Sequence, residues 1–415
     1  MLRNYLLTAW KVFMRRKLFT AINLACIVLT LVILMVITAM LQSAFHPSGV
    51  EGKSDRFLQV MNIRMESPDS GNVSQSPLGF KLIDQYLKPI AGVERVAALT
   101  SSDPVSVYQG ERVSTLEMRR VDADYWKVLD FTVLAGRLPT AQDDIDARQV
   151  AVINRSSAHR LFGSAPATAL GQTIDVGGQS FEIVGVVANA MHLNAYGDLW
   201  APISTFPSSG YRHQLTGSFS ALILAHQASD LPRIQRDVAR IATGVATDDP
   251  ATLKTVYFWA DSKLDLFARG TVGSDTRADA GATKLLAMFG AAMVLFMLLP
   301  ALNLVNLNTG RILERQTEIG VRKAFGATSA TLAGQLIVEN ILLCLAGGLI
   351  ALAATAGVLA WIEAANLIPY LAIEMDWAVC GYGMVLATVF GLLSGVLPAW
   401  NMARLDPVHA LRGRT

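Results

Sequence analysis

The hydrophobic pattern divides the chain into two kinds of segment. Four long runs, near residues 18–41, 285–310, 340–362 and 377–400, hold few or no charges. Each reaches the roughly 20 residues that a helix needs to cross the apolar core of a bilayer. Between the first two runs the pattern is that of an ordinary folded domain. Phe57–Met65 alternates and reads as a strand, Leu78–Leu87 has helical spacing, and Val93–Leu99 is apolar and short enough for a strand. The succession returns later as a strand over Phe219–Ala225, a helix over Leu231–Val245 and a strand over Leu253–Trp259. Two β-α-β units around a middle region predict one split α+β lobe carrying an insertion. Within the insertion, Ser114–Val121, Gln149–Ile153, Gln172–Val176 and Phe181–Val187 read as strands. Gly177-Gly178 should join the last two as a tight hairpin. Ser156–Leu161 reads as a helix stopped by Gly163.

Composition places this pattern in a membrane. The chain is 52% hydrophobic and 16% charged, against about 25% charged for a soluble domain. Charge then sets the orientation. Arg15, Arg16 and Lys17 precede the first run, Arg311, Arg315, Arg322 and Lys323 follow the second, and Arg404, Arg412 and Arg414 follow the fourth. The loop between the last two runs has Glu363, Glu374 and Asp376 and no Lys or Arg. Basic residues mark the cytoplasmic side. The expected fold is an α-helical membrane protein with four transmembrane helices and a large α+β extracytoplasmic domain inserted between helices 1 and 2. Lys284 is the exception, at the outer mouth of the second span, where it can snorkel. A signal peptide has the same order of features as the N-terminus. Leu18–Leu41, however, exceeds the roughly 7–15 residues of a signal h-region, which favours an uncleaved anchor, while Gln42-Ser43-Ala44 keeps a weak cleavage site open.

The expected boundaries are a cytoplasmic amphipathic segment over 1–17, spans over 18–41, 285–309 and 377–398, and an external domain over 42–280. A cytoplasmic loop follows over 310–328, then a helix leading into the third span over 329–362, and a cytoplasmic tail over 399–415. The net charge of +2 lies beside the spans, which is not a nucleic-acid signature. Cys26, Cys344 and Cys380 fall inside apolar runs and read as small buried hydrophobes.

No catalytic set emerges from the external domain. His46, His159, His192, His213 and His226 are scattered without metal-ligand spacing. Asp143, Asp144 and Asp146 form an acidic loop, either a carboxylate metal site or, more simply, a solvated turn. No G-x-S-x-G elbow and no G-x-x-x-x-G-K-[ST] phosphate loop occurs in the sequence, so no enzyme activity and no cofactor of its own are expected.

The inner loop is more informative. Glu314, Glu318 and Arg322 are spaced four apart and can support one helical face. Apolar Ile319, Val321 and Phe325 are interleaved, in a connection longer than a turn needs, which favours a docking element. Asn303 and Asn306 in the second span read as interhelical hydrogen bonding or as a polar path. Glu339, at the inner start of the third span, is either a functional group or an interfacial partner of Arg322 or Lys323. Gly347-Gly348 allows close helix contact or flexibility there.

The arrangement of one span, a large external domain and three further spans resembles the FtsX-like/MacB-like permease family of ABC transporters, also called type VII. The likeness is strongest over Arg315–Ala327, including Glu318, Ile319, Gly320, Arg322, Lys323 and Gly326. Glu339 also falls where the family places a glutamate before the third span. Pro398, Arg404, Asp406, Pro407 and Arg412 match the closing motif, and Gly136-Arg137, Val152–Asn154, Leu161–Gly163, Gly171 and Val184–Val187 resemble the MacB-like periplasmic core domain. The resemblance implies a permease subunit, forming a homodimer or heterodimer in a bacterial inner membrane with both termini cytoplasmic. Its loop and C-terminal segment would contact a cytoplasmic ABC ATPase dimer that binds ATP and Mg. Full-length exporters of the family carry the ATPase at the N-terminus; here the membrane segment comes almost at once, so an ATPase in trans is expected. The implied work is export of peptides, drugs or lipid-linked cargo by mechanotransmission, with a periplasmic adaptor and outer-membrane channel as further partners. An FtsX-like regulator of cell-wall hydrolases and a lipoprotein-release permease are the alternatives.

Overall fold

The computed structural model describes residues 17–67, 71–163, 165–190, 192–247, 254–273, 277–314 and 328–365, together with Val321, Phe325 and short helical stretches between 381 and 396. The chain forms two units. One is Met1–Ser43 with Ala287–Ile368 and Ala372–Thr415; the other is Ala44–Leu286 with Pro369–Leu371.

In the helical unit, the first uncharged run lies in α1 (Lys17–Phe45). The larger unit begins with the expected strand 57–65, which is divided at Met61. Its first part, β1 (Phe57–Val60), pairs with β12 (Phe219–Ala225), and its second, β2 (Asn62–Glu66), lies between β3 (Val73–Pro77) and β13 (Thr255–Tyr257). On its other edge β12 pairs with β4 (Val93–Thr100). Main-chain bonds from Gln59 to Asp261 at 2.7 Å and back at 2.8 Å carry the pairing on toward β13. The second, third, first and fourth strands of the two β-α-β units therefore lie side by side, the split β-α-β order. One face is covered by α2 (Phe80–Leu82), which widens into a turn over Ile83–Leu87, and by α6 (Leu231–Gly244). These helices bury Leu82, Ile83 and Leu87, and Ile234, Val238 and Ala242. The second set is spaced i, i+4, i+8, the apolar stripe of an amphipathic helix.

The insertion is a closed barrel. Its strands are β5 (Asp103–Gln109), β6 (Arg112–Val121), β8 (Val150–Asn154), β9 (Thr173–Val176), β10 (Gln179–Val187) and β11 (Leu199–Pro202). The order is β6-β11-β8-β10-β9-β5, and β5 pairs back on β6. Closure removes the unpaired edges of an open sheet. Val107, Leu116, Ile153, Ile174, Phe181, Ile183 and Leu199 fill the interior. The Gly177-Gly178 hairpin is present, with φ of 56° and 79°, the positive values that a type I′ turn requires. Gly163 (φ 101°) ends α5 (Arg155–Phe162).

The lobes share a wall. Phe57, Ala97, Leu99, Leu222 and Leu224 face away from α2 and α6 and meet α3 (Tyr125–Val128), Phe131 and the outward-facing Val152, Val187 and Trp200 of the barrel. Phe131 stacks edge-on against Trp126 at 5.1 Å and Trp200 at 5.5 Å. Barrel closure and this aromatic seam were not anticipated from the sequence. Neither were β3, β5, β7 (Val133–Gly136), β11, α3, α4 (Ala141–Ile145) and α7 (Lys263–Thr271).

The remaining helices are α8 (Ala282–Glu314), which continues through Pro300, and α9 (Ser329–Ala364), which joins the expected inner helix and third span without a break. Thr20–Phe45 and Ala330–Ala364 are each long and apolar enough to cross a membrane. The expected fourth span, 377–398, lies largely outside the described residues, although Gly381–Val385 is helical. Within the helical unit α1 packs on α9 through Ile27, Leu31, Met35, Leu343, Cys344 and Ala351. Gly347 permits this contact, since a Cβ there would stand 2.7 Å from the Ile27 side chain.

Candidate functional site

The connection between α8 and α9 was expected to carry function. Of it, Val321, Phe325 and Thr328 are described. The Phe325 N–H donates to the Val321 carbonyl at 3.0 Å, one helical turn. Residues four apart share a face, and both side chains are outward, Phe325 being 88% exposed and Val321 41%. Phe325 is thus an apolar knob on a turn, uncovered by the described residues. Thr328 then caps α9, its hydroxyl accepting the Thr331 N–H at 3.3 Å. Arg315, Glu318, Ile319, Gly320, Arg322, Lys323 and Gly326 lie outside the described residues, as do Pro398, Arg404, Asp406, Pro407 and Arg412.

Glu339 is described. It is 6% exposed, deep in α9, and accepts a hydrogen bond from Gln335 Nε2 one turn earlier at 3.0 Å. Asn340 beside it and Asn23 of α1 are also buried. Among the described residues the Asn23 amide has no hydrogen-bond partner. A polar group inside an apolar bundle is costly, so such residues concentrate where helices meet or move. Cys344 is a buried thiol, as expected, and Cys26 is half-buried.

The larger unit holds no group of metal-ligating side chains among the described residues. In the acidic loop at 143–146, Asp146 lies in an exposed turn, as expected, whereas Asp143 does not. Asp143 is buried and completes the capping box of α4, accepting from the N–H of the N-cap Thr140 at 2.8 Å. It also takes a bidentate pair from Arg137 at 2.6 and 3.0 Å. The Arg137 hydrogen bonds hold its carboxyl well below the usual carboxylate range. An open cleft of about 570 Å³ beside it is lined by Arg137, Arg148, Gln149 and Glu182. Arg137 is paired with Asp143, and Arg148 with Asp143 and Asp146.

A second polar cluster lies near the two ends of the unit. Glu51 is 1% exposed, and one of its carboxylate oxygens accepts from both the N–H and the side-chain amide of Asn194, each at 3.0 Å. Its other oxygen pairs with Lys263. Ser48 Oγ bonds His192 Nε2 at 3.1 Å, and burial pushes the His192 pKa down. Arg119, also buried, donates to the carbonyls of Tyr196 at 3.1 Å and Leu193 at 3.2 Å. This cluster has no signature in the sequence, because Glu51 lies 143 positions from Asn194 and its members match no motif.

The comparisons with known proteins follow the two units. Residues 20–241 match the MacB-like periplasmic core domain and residues 290–407 the FtsX-like permease C-terminal region. One relative, described as an uncharacterized ABC transporter permease, YknZ of Bacillus subtilis, is 26% identical over 79% of this chain and 77% of its own length. Another, the macrolide export ATP-binding/permease protein MacB of Mannheimia succiniciproducens, is 25% identical over 77% of this chain and 47% of its own length. The chain thus spans about half the length of that MacB relative. The crystal structure of the YknZ extracellular domain covers 48% of this chain and 98% of its own, with 20% identity and a TM-score of 0.38. The two family matches together take in most of both units, and the chain belongs to the ABC transporter permeases that join a MacB-like periplasmic core domain to an FtsX-like permease region.

Proposed function

We propose that this chain is the membrane subunit of an ATP-driven export machine, working as a dimer of permeases in a bacterial inner membrane. A separate ABC ATPase docks on the 310–328 loop from the cytoplasm, and ATP and Mg are held by that partner. The chain crosses the membrane four times with both ends inside. Closure of the ATPase pair shifts the spans, and the spans move the external domain. Cargo is handled outside the membrane, as peptide, drug or lipid-linked substrate, by displacement of that domain with the help of an adaptor.

The observation that carries this reading is the exposed Phe325–Val321 face, inside the FtsX-like region and between two long apolar helices. A nucleotide state can move the chain only by binding one arrangement better than another, and this face supplies the contact. Glu318 precedes it and Arg322 lies within it in sequence, and their charges would set its orientation.

Co-purification in mild detergent tests the reading. A buried aromatic anchor is worth about 2 kcal/mol or more, roughly 30-fold in Kd. Phe325→Ala should therefore release the ATPase while α1 and α9 still insert. Charge reversal at Glu318 or Arg322 should act in the same direction. An ATPase retained at wild-type yield by all three variants would remove the loop from this role.

A further inference from the structure

The chain joins the external unit at two stems, the residues after α1 and those before α8. Helix α7 bonds to both. Phe267 of α7 meets Phe45, the last residue of α1, edge-on at 5.6 Å. Lys263 in its first turn forms the buried ion pair with Glu51, six residues beyond α1. Near the other end, Arg269 makes a bidentate pair with Asp261 at 2.6 and 2.8 Å, both side chains being 7% exposed. The same guanidinium donates at 2.7 Å to the carbonyl of Arg277, on the segment leading into α8.

Two further bonds carry these ties into the lobes. Asp261 exchanges main-chain bonds with Gln59 of β1, a strand of the split-lobe sheet. Glu51 accepts from Asn194 in the connection between β10 and β11, two strands of the barrel. Ser48 reinforces that junction through His192. One nine-residue helix is thus bonded to both stems, and through Glu51 the first stem is bonded to the barrel.

Stability alone does not account for the chemistry. A buried ion pair is often no more stabilising than well-packed apolar side chains of the same volume. What ions and hydrogen bonds add is direction, because each fixes the angle at which two segments meet.

We propose that α7, with Glu51, Lys263 and Asn194, is a force-bearing joint that transmits displacement of the membrane stems to the inserted barrel. Glu51 and Lys263 are positioning residues in it and bind no cargo. The proposal rests on the reading of this chain as an ATP-driven permease and adds where the force passes.

The test uses the full chain, reconstituted in liposomes with the ATPase that co-purifies with it. Spin labels at Glu111 of the barrel hairpin and Glu363 at the end of α9, in a background with Cys26, Cys344 and Cys380 replaced, report the distance with and without ATP. In the otherwise native protein ATP should change that distance. Glu51→Gln alone strands a buried Lys263 charge and can misfold, so the decisive variant is Glu51→Gln with Lys263→Met. It keeps an acceptor for Asn194 and the packing, and removes the ion pair. It should fold and turn over ATP at the native basal rate while the ATP-dependent distance change is lost. A distance change of native size in this variant overturns the joint. Absence of any ATP-dependent change in the native chain strikes the permease reading instead, and so does the absence of a co-purifying ATPase.

Discussion

The split lobe and the barrel solve the same problem by opposite routes. In the split lobe Phe57 stands opposite Leu224, so its sheet is assembled from strands at the two ends of the external segment. In the barrel every strand falls between Asp103 and Pro202. The barrel fills its own interior, whereas the split-lobe sheet is buried on both faces, with helices on one side and the barrel wall on the other. All seven residues of β12 are buried; in the barrel β8 and β11 are buried throughout, while β9 alternates exposed and buried. The lobe that carries the stems therefore depends on the barrel for one of its faces, and the barrel in turn buries Val152, Val187 and Trp200 there.

Trp200→Ala tests that dependence most severely. The ring is fully buried in the seam, and a large aromatic truncated in a core costs about 3–5 kcal/mol. Pulse proteolysis in detergent should show both lobes becoming susceptible together. Phe181→Ala, inside the barrel, should cost a similar amount but open the barrel first. If Trp200→Ala left the split lobe resistant at the native denaturant concentration, the shared wall would be cosmetic.

The barrel's own construction breaks at a smaller cost. Strand β7 lies so close on β10 that a Cβ at Gly185 would stand 2.1 Å from the Arg137 carbonyl oxygen. Gly136 opposite has φ of 73°, and its Cβ would meet the Val184 carbonyl at 2.2 Å. Alanine at either position should cost about 2–3 kcal/mol, the range of overpacking against backbone. Gly110, with φ of 60° but open space around it, is the control. Gly110→Ala should cost only about 1 kcal/mol, the penalty of a left-handed residue. Equal midpoints for the three variants would deny the close approach.

These glycines also show what was legible beforehand. Gly177-Gly178 announced its hairpin, because a turn is a local event and its residue types are diagnostic. The face of α6 was equally plain, since a 3.6-residue period needs no partner to be read, whereas the helix expected from Leu78 begins only at Phe80, Leu78 bonding to Phe219 instead. Gly136 and Gly185 were noticed as family-like residues, but not as a contact between two strands about fifty positions apart. Strands β5 and β11 were overlooked for a related reason. Asp103–Gln109 opens on Asp-Pro, and Leu199–Pro202 is four residues ending in proline, so neither looks like a strand until its neighbours are in place. The Glu51–Lys263 pair joins residues more than two hundred positions apart and has no signature in either segment. Glu339 stood out as a polar residue at an apolar depth, but its hydrogen bond from Gln335, one turn earlier on the same helix, was not among the partners considered for it.

Two buried carboxylates sharpen the contrast through pH. Asp143, in the barrel, is a cap and half of a bidentate pair. Its depressed pKa means that its stabilisation is complete above the unfolded value of about 4 and is lost as pH falls below it. Asp143→Asn should cost about 2 kcal/mol at neutral pH through the lost charge-assisted bonds. That cost should shrink toward zero in strong acid, as urea titrations of the two proteins at neutral and acid pH would reveal. A cost independent of pH would mean that the Arg137 pair contributes nothing.

Asp122 should do the reverse, and more gently. It follows β6, with its N–H bonded to Ala98 of the split-lobe sheet, and its carboxylate is 5% exposed. Tyr125 N–H at 3.1 Å and Lys88 at 3.5 Å do not offset the desolvation. Burial raises its pKa to about 6. The folded state then holds a proton that the unfolded chain has already released, so stability declines as pH rises from about 4 to about 6 and is level beyond. Asp122→Asn removes the titration and keeps the acceptor for Tyr125. The substitution should stabilise the protein by roughly 1–2 kcal/mol above pH 6, a discounted share of two pKa units, and the gain should vanish by about pH 4. Urea midpoints at pH 4 and pH 7.5 decide it. A substitution that destabilised the protein at pH 7.5 would show that the Lys88 pair outweighs the burial. In that case the barrel's Asp143 and the seam's Asp122 would respond to acid in the same sense, and the electrostatic difference between the lobes would disappear.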